Sequence, residues 1–288
     1  MGSELSAVLF PGQGSQTEGM REIVERRRPE LLELARAEAS DDFFDRADEG
    51  TRWAQPAIYC AALAGFDLLR DRVEPDVMAG HSLGEIAALV AAEALTAEDG
   101  FRLVSARGRL MQEAAEMEPD GGMLAVRARE RAPVERVAEE CGLTVANDNA
   151  PDQVVLSGPG AAIAAAEERL REARVRTKLL PVAGAFHSPL IEPAVEPFRA
   201  VVLETEVREP RVPVFSCVTA APFDDVRERL VQALTQPVRW LDVMRALERR
   251  GVTRFVETGP GRVLANLVRK SLDGVEAEAP LAMEAASA

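Results

Sequence analysis

The sequence predicts an α/β chain: a parallel sheet covered by helices, with a smaller α+β unit inserted into it. Three observations carry this. Short apolar runs bounded by turn residues alternate with longer helical stretches over residues 1–121, and alternating signals resume over 185–270. That alternation marks a parallel sheet with helices on its faces. Between 122 and 184 the order becomes strand–helix–strand twice over, the split βαβ pattern of a ferredoxin-like unit. From 271 to 288 the chain is acidic, small and aperiodic, "SLDGVEAEAPLAMEAASA", which predicts a frayed tail.

The elements follow in order. "AVLFPGQGSQ" (7–16) reads as a short strand and a glycine turn, followed by helical stretches around 20–39 and 55–70. "EPDVMAG" (74–80) is a second strand. "LGEIAALVAAEAL" (83–95) is apolar on nearly all faces and so predicts a buried helix. "EDGFRLVSARGRLMQEAAEM" (98–117) is a helix with one partly exposed face. In the inserted unit, "GMLAVRA", "LTVAN", "QVVLSG" and "VRTKLLPVAG" read as strands, and "APVERVAEEC" and "GAAIAAAEERLREA" as helices. Pro133 falls in the first turn of the former helix, and "DNAPD" supplies a turn between two strands. "VPVFSCVT" and "RFVETG" are the clearest later strands.

Composition narrows the function. With 288 residues, 47% of them hydrophobic, the chain can bury one large core or a large and a small one. No apolar run approaches the roughly 20 residues that span a bilayer, and "MGSELSAVLF" does not read as a secretory signal. Cys60, Cys141 and Cys217 are scattered and odd in number, which predicts reduced thiols and a cytoplasmic setting. Two histidines, His81 and His187, argue against a metal centre of imidazoles. A net charge of −14 disfavours nucleic acid and anionic membranes, both bound mainly through Lys and Arg. An acidic partner would need a local basic patch. "ERRR" (25–28) and the "ERR" before Gly251 are the sources visible in the sequence, and each also reads as a solvated helix face.

One stretch points to chemistry. "GHSLG" (80–84) fits G-x-S-x-G with a strand before it and a helix after it, the setting of a nucleophile elbow. There the Ser82 hydroxyl sits at a helix N-terminus, where backbone N–H groups can stabilise an oxyanion. A serine hydroxyl is a weak nucleophile without a base. His81 is adjacent, but successive side chains of extended backbone point to opposite sides. His187, in "VAGAFHSPL" (182–190), follows an apolar strand and precedes Pro189, and is the other imidazole available. No acid between the two stands in a convincing strand-end context, so a Ser–His dyad with a backbone carbonyl orienting the ring is expected.

Several blocks together carry a family resemblance. "FPGQGSQ" (10–16), "GHSLGE" (80–85), "ARGRLMQ" (106–112) and "AFHS" (185–188) resemble the malonyl-CoA:acyl carrier protein transacylases, which include the acyltransferases of fatty-acid and polyketide synthesis. "NDNAPDQVVLSG" (147–158), "PVRW" (237–240) and "ETGPGRVL" (257–264) match further blocks, so the resemblance runs from about residue 8 to 270. It implies an α/β-hydrolase-like catalytic domain with a ferredoxin-like subdomain. It also implies a malonyl ester on Ser82, with His187 as the base. The oxyanion would lie between the backbone N–H groups of Leu83 and Gln13. Arg107 would clamp the malonate carboxylate, a role suited to a planar fork of donors. Met111, one helical turn on, would line the acyl pocket, and the bulk of Phe186 would favour malonyl over branched units. Two positions depart from the family pattern: Ala233 stands where a glutamine carbonyl usually orients the histidine, and Cys217 where relatives usually carry Asn.

The expected reaction is ping-pong transfer from malonyl-CoA to an acyl carrier protein. No carrier, ketosynthase or reductase segment is seen in the chain, so action in trans is expected, leaning toward polyketide synthesis. No cofactor beyond the substrate is expected. Two alternatives stay open: a hydrolase that clears acyl groups from carriers, and a non-catalytic carrier-binding protein.

Overall fold

The computed structural model describes residues 4–38, 43–182 and 184–281. The chain opens with β1 (Leu5–Phe10), α1 (Met20–Arg27), α2 (Pro29–Glu38), α3 (Thr51–Leu69), β2 (Val77–Gly80), α4 (Gly84–Ala91) and α5 (Ala97–Met117). The inserted unit holds β3 (Gly121–Arg127), α6 (Ala132–Glu140), β4 (Thr144–Ala150), β5 (Gln153–Pro159), α7 (Gly160–Glu172) and β6 (Arg176–Leu179). A 3₁₀ turn (Pro189–Ala194) then leads into α8 (Val195–Glu204), β7 (Val214–Ser216), β8 (Ala221–Pro222), α9 (Val226–Gln232), α10 (Trp240–Arg249), β9 (Val252–Glu257), α11 (Val263–Ser271) and β10 (Glu276–Glu278).

The larger sheet has the order β10-β9-β1-β2-β7-β8. All its pairings are parallel except that of β8 with β7. Strand β1 shows why "AVLF" does not alternate with polar residues. Val8 and Phe10 join the core on one face of the sheet, Ala7 and Leu9 the core on the other. A strand covered on both faces by helices reads as a continuous apolar run.

The smaller sheet is antiparallel, in the order β4-β5-β3-β6. Leu124, Val126 and Leu156 pack beneath α6 and α7 against Val134, Ile163 and Leu170. The opposite face of this sheet looks toward the larger body. The two are stitched by backbone: Val238 N–H donates to Ala146 at 2.8 Å, and Asp148 N–H to Val238 at 2.9 Å.

Three expectations need correction. The helical stretch at 20–39 is two helices, broken at Arg28 (φ −140°) because Pro29 disfavours helical backbone in the residue before it. The helix from Leu83 ends at Ala91, and Glu93 turns the chain at φ 63°. The segment from 271 is ordered as far as 281: β10 adds to the sheet edge beside β9, Arg254 donates to Glu278 at 2.8 Å, and Leu272 and Leu281 are buried. The remainder of the expected tail, 282–288, lies outside the described residues. Among the described residues, no helix is long and apolar enough to cross a membrane.

Candidate active site

The site starts from two glycines. A Cβ on Gly84 would lie 2.2 Å from the Phe10 carbonyl oxygen, and one on Gly80 would lie 2.0 Å from the Gly84 carbonyl carbon. Only glycine lets β2 turn into α4 so tightly. Ser82 sits at the top of that turn with φ 53°. A non-glycine residue held in this region stores backbone strain of ~1–3 kcal/mol.

His187 reaches the same point from the other end of the chain. It is also left-handed, at φ 56°. Its turn is tied by Ser188, whose hydroxyl donates to the Ala185 carbonyl at 2.6 Å and accepts from Leu190 N–H at 3.3 Å. Ser82 Oγ and His187 Nε2 are 2.9 Å apart across 105 residues of sequence. The Ala233 and Gln236 carbonyls act on the ring from its other side and favour its protonated form, although neither meets strict hydrogen-bond geometry with Nδ1. The tautomer follows: Nδ1 carries the hydrogen toward the carbonyls, and Nε2 is free to accept from Ser82. Burial pushes the imidazole down to about 3, with the Arg107 charge adding to the shift, so the ring is neutral at pH 7.

Arg107 is buried on α5. Its Nη2 donates to Ser82 Oγ at 3.0 Å and its Nη1 to Gln55 Oε1 at 2.9 Å. Gln55 donates to Thr51 Oγ1 at 2.9 Å, and Thr51 to the Gln13 side chain at 2.9 Å. One chain of side-chain hydrogen bonds therefore links the glycine loop, α3, α5 and the elbow. Among the described residues no carboxylate forms an ion pair with Arg107. The nearby acid is Glu85, whose interaction with Arg107 is through space. Desolvation pulls the guanidinium down to about 10, which still leaves it charged. A buried cation without a counter-ion is costly, and in an open cleft that cost marks a place for an anionic ligand.

Glu85 lies beneath the elbow. Its carboxyl accepts from Cys217 N–H at 2.6 Å, and burial raises it to about 7. The Cys217 thiol donates to the Gly80 carbonyl at 3.1 Å, so this residue ties β7 to β2 rather than acting only as packing. His81 faces away from Ser82, as expected: its Nε2 meets Asn149 Oδ1 at 2.8 Å and its ring packs against Trp240.

These groups open onto a cleft of ≈ 390 Å³ between the larger body and the small subdomain. Gln13, Ser82, Leu83, Arg107, Met111, Phe186 and His187 all line it. Among the described residues neither the Gln13 nor the Leu83 amide donates a hydrogen bond, which leaves both available to a ligand oxygen. Met111 Sδ accepts weakly from Gln55 at 3.5 Å. Phe186 is part of the main core as well as the cleft wall, so packing and pocket lining coincide there. Thr51, Gln55 and Asn149 were not foreseen as site residues. Thr51 and Gln55 belong to a helix without a motif, and only Asn149 lies in a block that the sequence marked.

The family described as "Acyl transferase domain" matches residues 8–284. The polyketide biosynthesis protein ThaF of Burkholderia thailandensis is 38% identical over 94% of this chain, and the chain spans only 24% of that protein's length. The malonyl CoA-acyl carrier protein transacylase of Bacillus subtilis is 36% identical over 92% of this chain and 89% of its own. A solved complex of a malonyl-transacylase with its type II polyketide-synthase acyl-carrier protein superposes with a TM-score of 0.86 at 31% identity, covering 95% of this chain and 94% of that one.

Proposed function

The chain belongs to the acyl transferase domain family, and from that premise we propose that it moves a malonyl group from malonyl-CoA, through an ester on Ser82, to the phosphopantetheine thiol of an acyl carrier protein. Ser82 Oγ attacks the thioester carbonyl while His187 Nε2 takes its proton. The developing oxyanion is held by the amides of Leu83 and Gln13. The C–S bond breaks, and the coenzyme thiolate leaves with the proton from His187. The carrier thiol then gives its proton to His187 and attacks the ester. The C–O bond breaks, and Ser82 recovers the proton. The exchange moves an acyl group and protons but no electrons, so it needs no redox cofactor. Three free thiols, two of them buried, suit a reaction in the cytoplasm.

The observation that carries this reading is Arg107: a buried, carboxylate-free guanidinium 3.0 Å from the nucleophile. An acyl group ending in a carboxylate supplies the missing counter-ion by two charge-assisted hydrogen bonds. It also helps the base. The Arg107 charge is one cause of the low proton affinity of His187. A bound carboxylate offsets that charge and raises the imidazole's basicity. An acetyl group offers neither effect. Phe186 in the wall supports selection against a branched unit, worth ~1–3 kcal/mol for one methyl.

Mass spectrometry after mixing with malonyl-CoA, with and without carrier, tests the reading. The expected result is a malonyl adduct on Ser82 that moves to the carrier, and none with Ser82→Ala. Arg107→Ala should lower malonyl kcat/KM on the order of 100-fold while acetyl transfer changes little. Equal losses with both acyl groups would refute the clamp, and an adduct that only hydrolyses in the presence of carrier would make the protein a hydrolase.

A further inference from the structure

The two amides that face the nucleophile are held unequally. Leu83 belongs to the elbow, where Gly80 and Gly84 leave no room for a Cβ. Gln13 stands in the loop between β1 and α1 and is exposed. Its neighbours are tied down. A Cβ on Gly12 would lie 2.5 Å from the His81 carbonyl oxygen, the Ser15 hydroxyl donates to the Gly12 carbonyl at 2.7 Å, and the Gly14 amide donates to the Gln16 side chain at 2.8 Å. Gln13 itself has one hydrogen bond among the described residues: the Thr51 hydroxyl donates to its Oε1 at 2.9 Å.

Thr51 is fixed well enough to serve as an anchor. It opens α3 and is buried. Helix α5 grips it at two points. A Cβ on Gly108 would lie 2.9 Å from the Thr51 carbonyl oxygen, so the two helices meet closely there, and Thr51 N–H donates to Gln112 Oε1 at 3.2 Å. Arg107 sets the direction of the hydroxyl. A guanidinium can only donate, so Gln55 turns Oε1 toward Arg107 and Nε2 toward Thr51. Thr51 Oγ1 accepts from Gln55, and its own hydrogen goes on to Gln13. A chain of hydrogen bonds running in one sense polarises each member.

Resting on the malonyl-transfer reading, in which the Gln13 amide is an oxyanion donor, we propose that Thr51 is a positioning residue for the oxyanion hole. Its hydroxyl holds the exposed Gln13 by the side chain and so aims the backbone amide at the reacting carbonyl. An oxyanion donor contributes only if it is already in place when the charge develops. A loop residue without that tether swings, and the aim is lost. Thr51 does not touch the substrate; it acts through Gln13.

The test is a double-mutant cycle of Thr51→Val and Gln13→Ala, which break the same bond from its two ends. Formation of malonyl-Ser82 is followed by mass spectrometry at rising malonyl-CoA. Each variant should lower the maximal rate about tenfold, less than removal of a donor outright, with half-saturation within about twofold of wild type. The double variant should fall within about twofold of the singles, because one interaction is lost in all three. Thr51→Ser should keep most of the rate. Acetyl-CoA should show the same losses, since every acyl group uses the same oxyanion donors. Gln13 is exposed, so Gln13→Ala breaks the bond without entering the core, and a wild-type rate in that variant overturns the proposal on its own. Losses that multiply in the double variant overturn it too, leaving Thr51 a packing role. A loss confined to malonyl would assign Thr51 to the Arg107 clamp and equally overturn it. A wild type that forms no malonyl-Ser82 would instead overturn the malonyl reading.

Discussion

Ser82 and His187 occupy the same unusual backbone region, at φ 53° and 56°, but the chain holds them there by different means. The Ser82 turn is pressed between backbone atoms on both sides, with Gly80 and Gly84 admitting no Cβ. The His187 turn is held by one hydroxyl, that of Ser188, while the carbonyls of Ala233 and Gln236 act on the ring without a full hydrogen bond to it. The first has no slack and the second has some. That matches the tasks proposed for them. A nucleophile is useful only if its ester carbonyl stays fixed against the oxyanion donors. A base that serves first a serine and then an incoming thiol must accommodate two partners.

The largest effect expected from this contrast is at the elbow. Gly84→Ala puts a methyl 2.2 Å from Phe10 O and 2.8 Å from Pro11 O, and both are backbone atoms that cannot rotate away. The cost should be on the order of 3–5 kcal/mol, read as a fall in Tm on the order of 10 °C with loss of Ser82 acylation. A variant that melts and acylates like wild type would show that the elbow has slack after all.

The next difference is one of sign with pH. Glu85, under the elbow, is raised to about 7 by burial. The folded state therefore binds more protons than the unfolded chain between the two pKa values. The stability this group contributes at low pH is lost as pH rises through 7. His187 is lowered to about 3, so the unfolded chain binds more protons there, and stability is lost as pH falls below about 6.5. In urea unfolding, Glu85→Gln should flatten the loss between about pH 4.5 and about pH 7, on the order of a few kcal/mol, and His187→Gln should flatten the loss toward acid. If both variants kept the wild-type profile, neither group would be titrating as its surroundings dictate.

The same contrast explains how much was legible in the sequence. The elbow is written in local spacing, since two glycines two residues either side of a serine can be read without knowing any neighbour. His187 could be reached only by elimination, because the groups that act on its ring, the Ala233 and Gln236 carbonyls, lie far along the chain. Thr51 and Gln55 had no local sign at all. Their role comes from the face of α3 packed against α5, where the glycine loop and Arg107 meet. In sequence, strand β10 reads as tail because three residues with two acids look like solvent. Its pairing on one edge only, with Arg254 meeting Glu278, is a tertiary fact.

The smallest effect expected is at the second turn, and it tests whether slack there is real. Ser188→Ala removes one buried hydrogen bond to Ala185 and one cap on Leu190 N–H. Pro189 still fixes the start of the 3₁₀ turn, and the carbonyls of Ala233 and Gln236 still face the ring. Stability should fall by about 1 kcal/mol, measured by urea unfolding. If the turn tolerates adjustment, the rate of Ser82 acylation should fall only a few-fold, and KM for malonyl-CoA should hold, since Arg107 and the amides of Leu83 and Gln13 are untouched. A loss as deep as that of Gly84→Ala would mean that the base is held as rigidly as the nucleophile. The proton would then pass to both partners from a single fixed position of the ring.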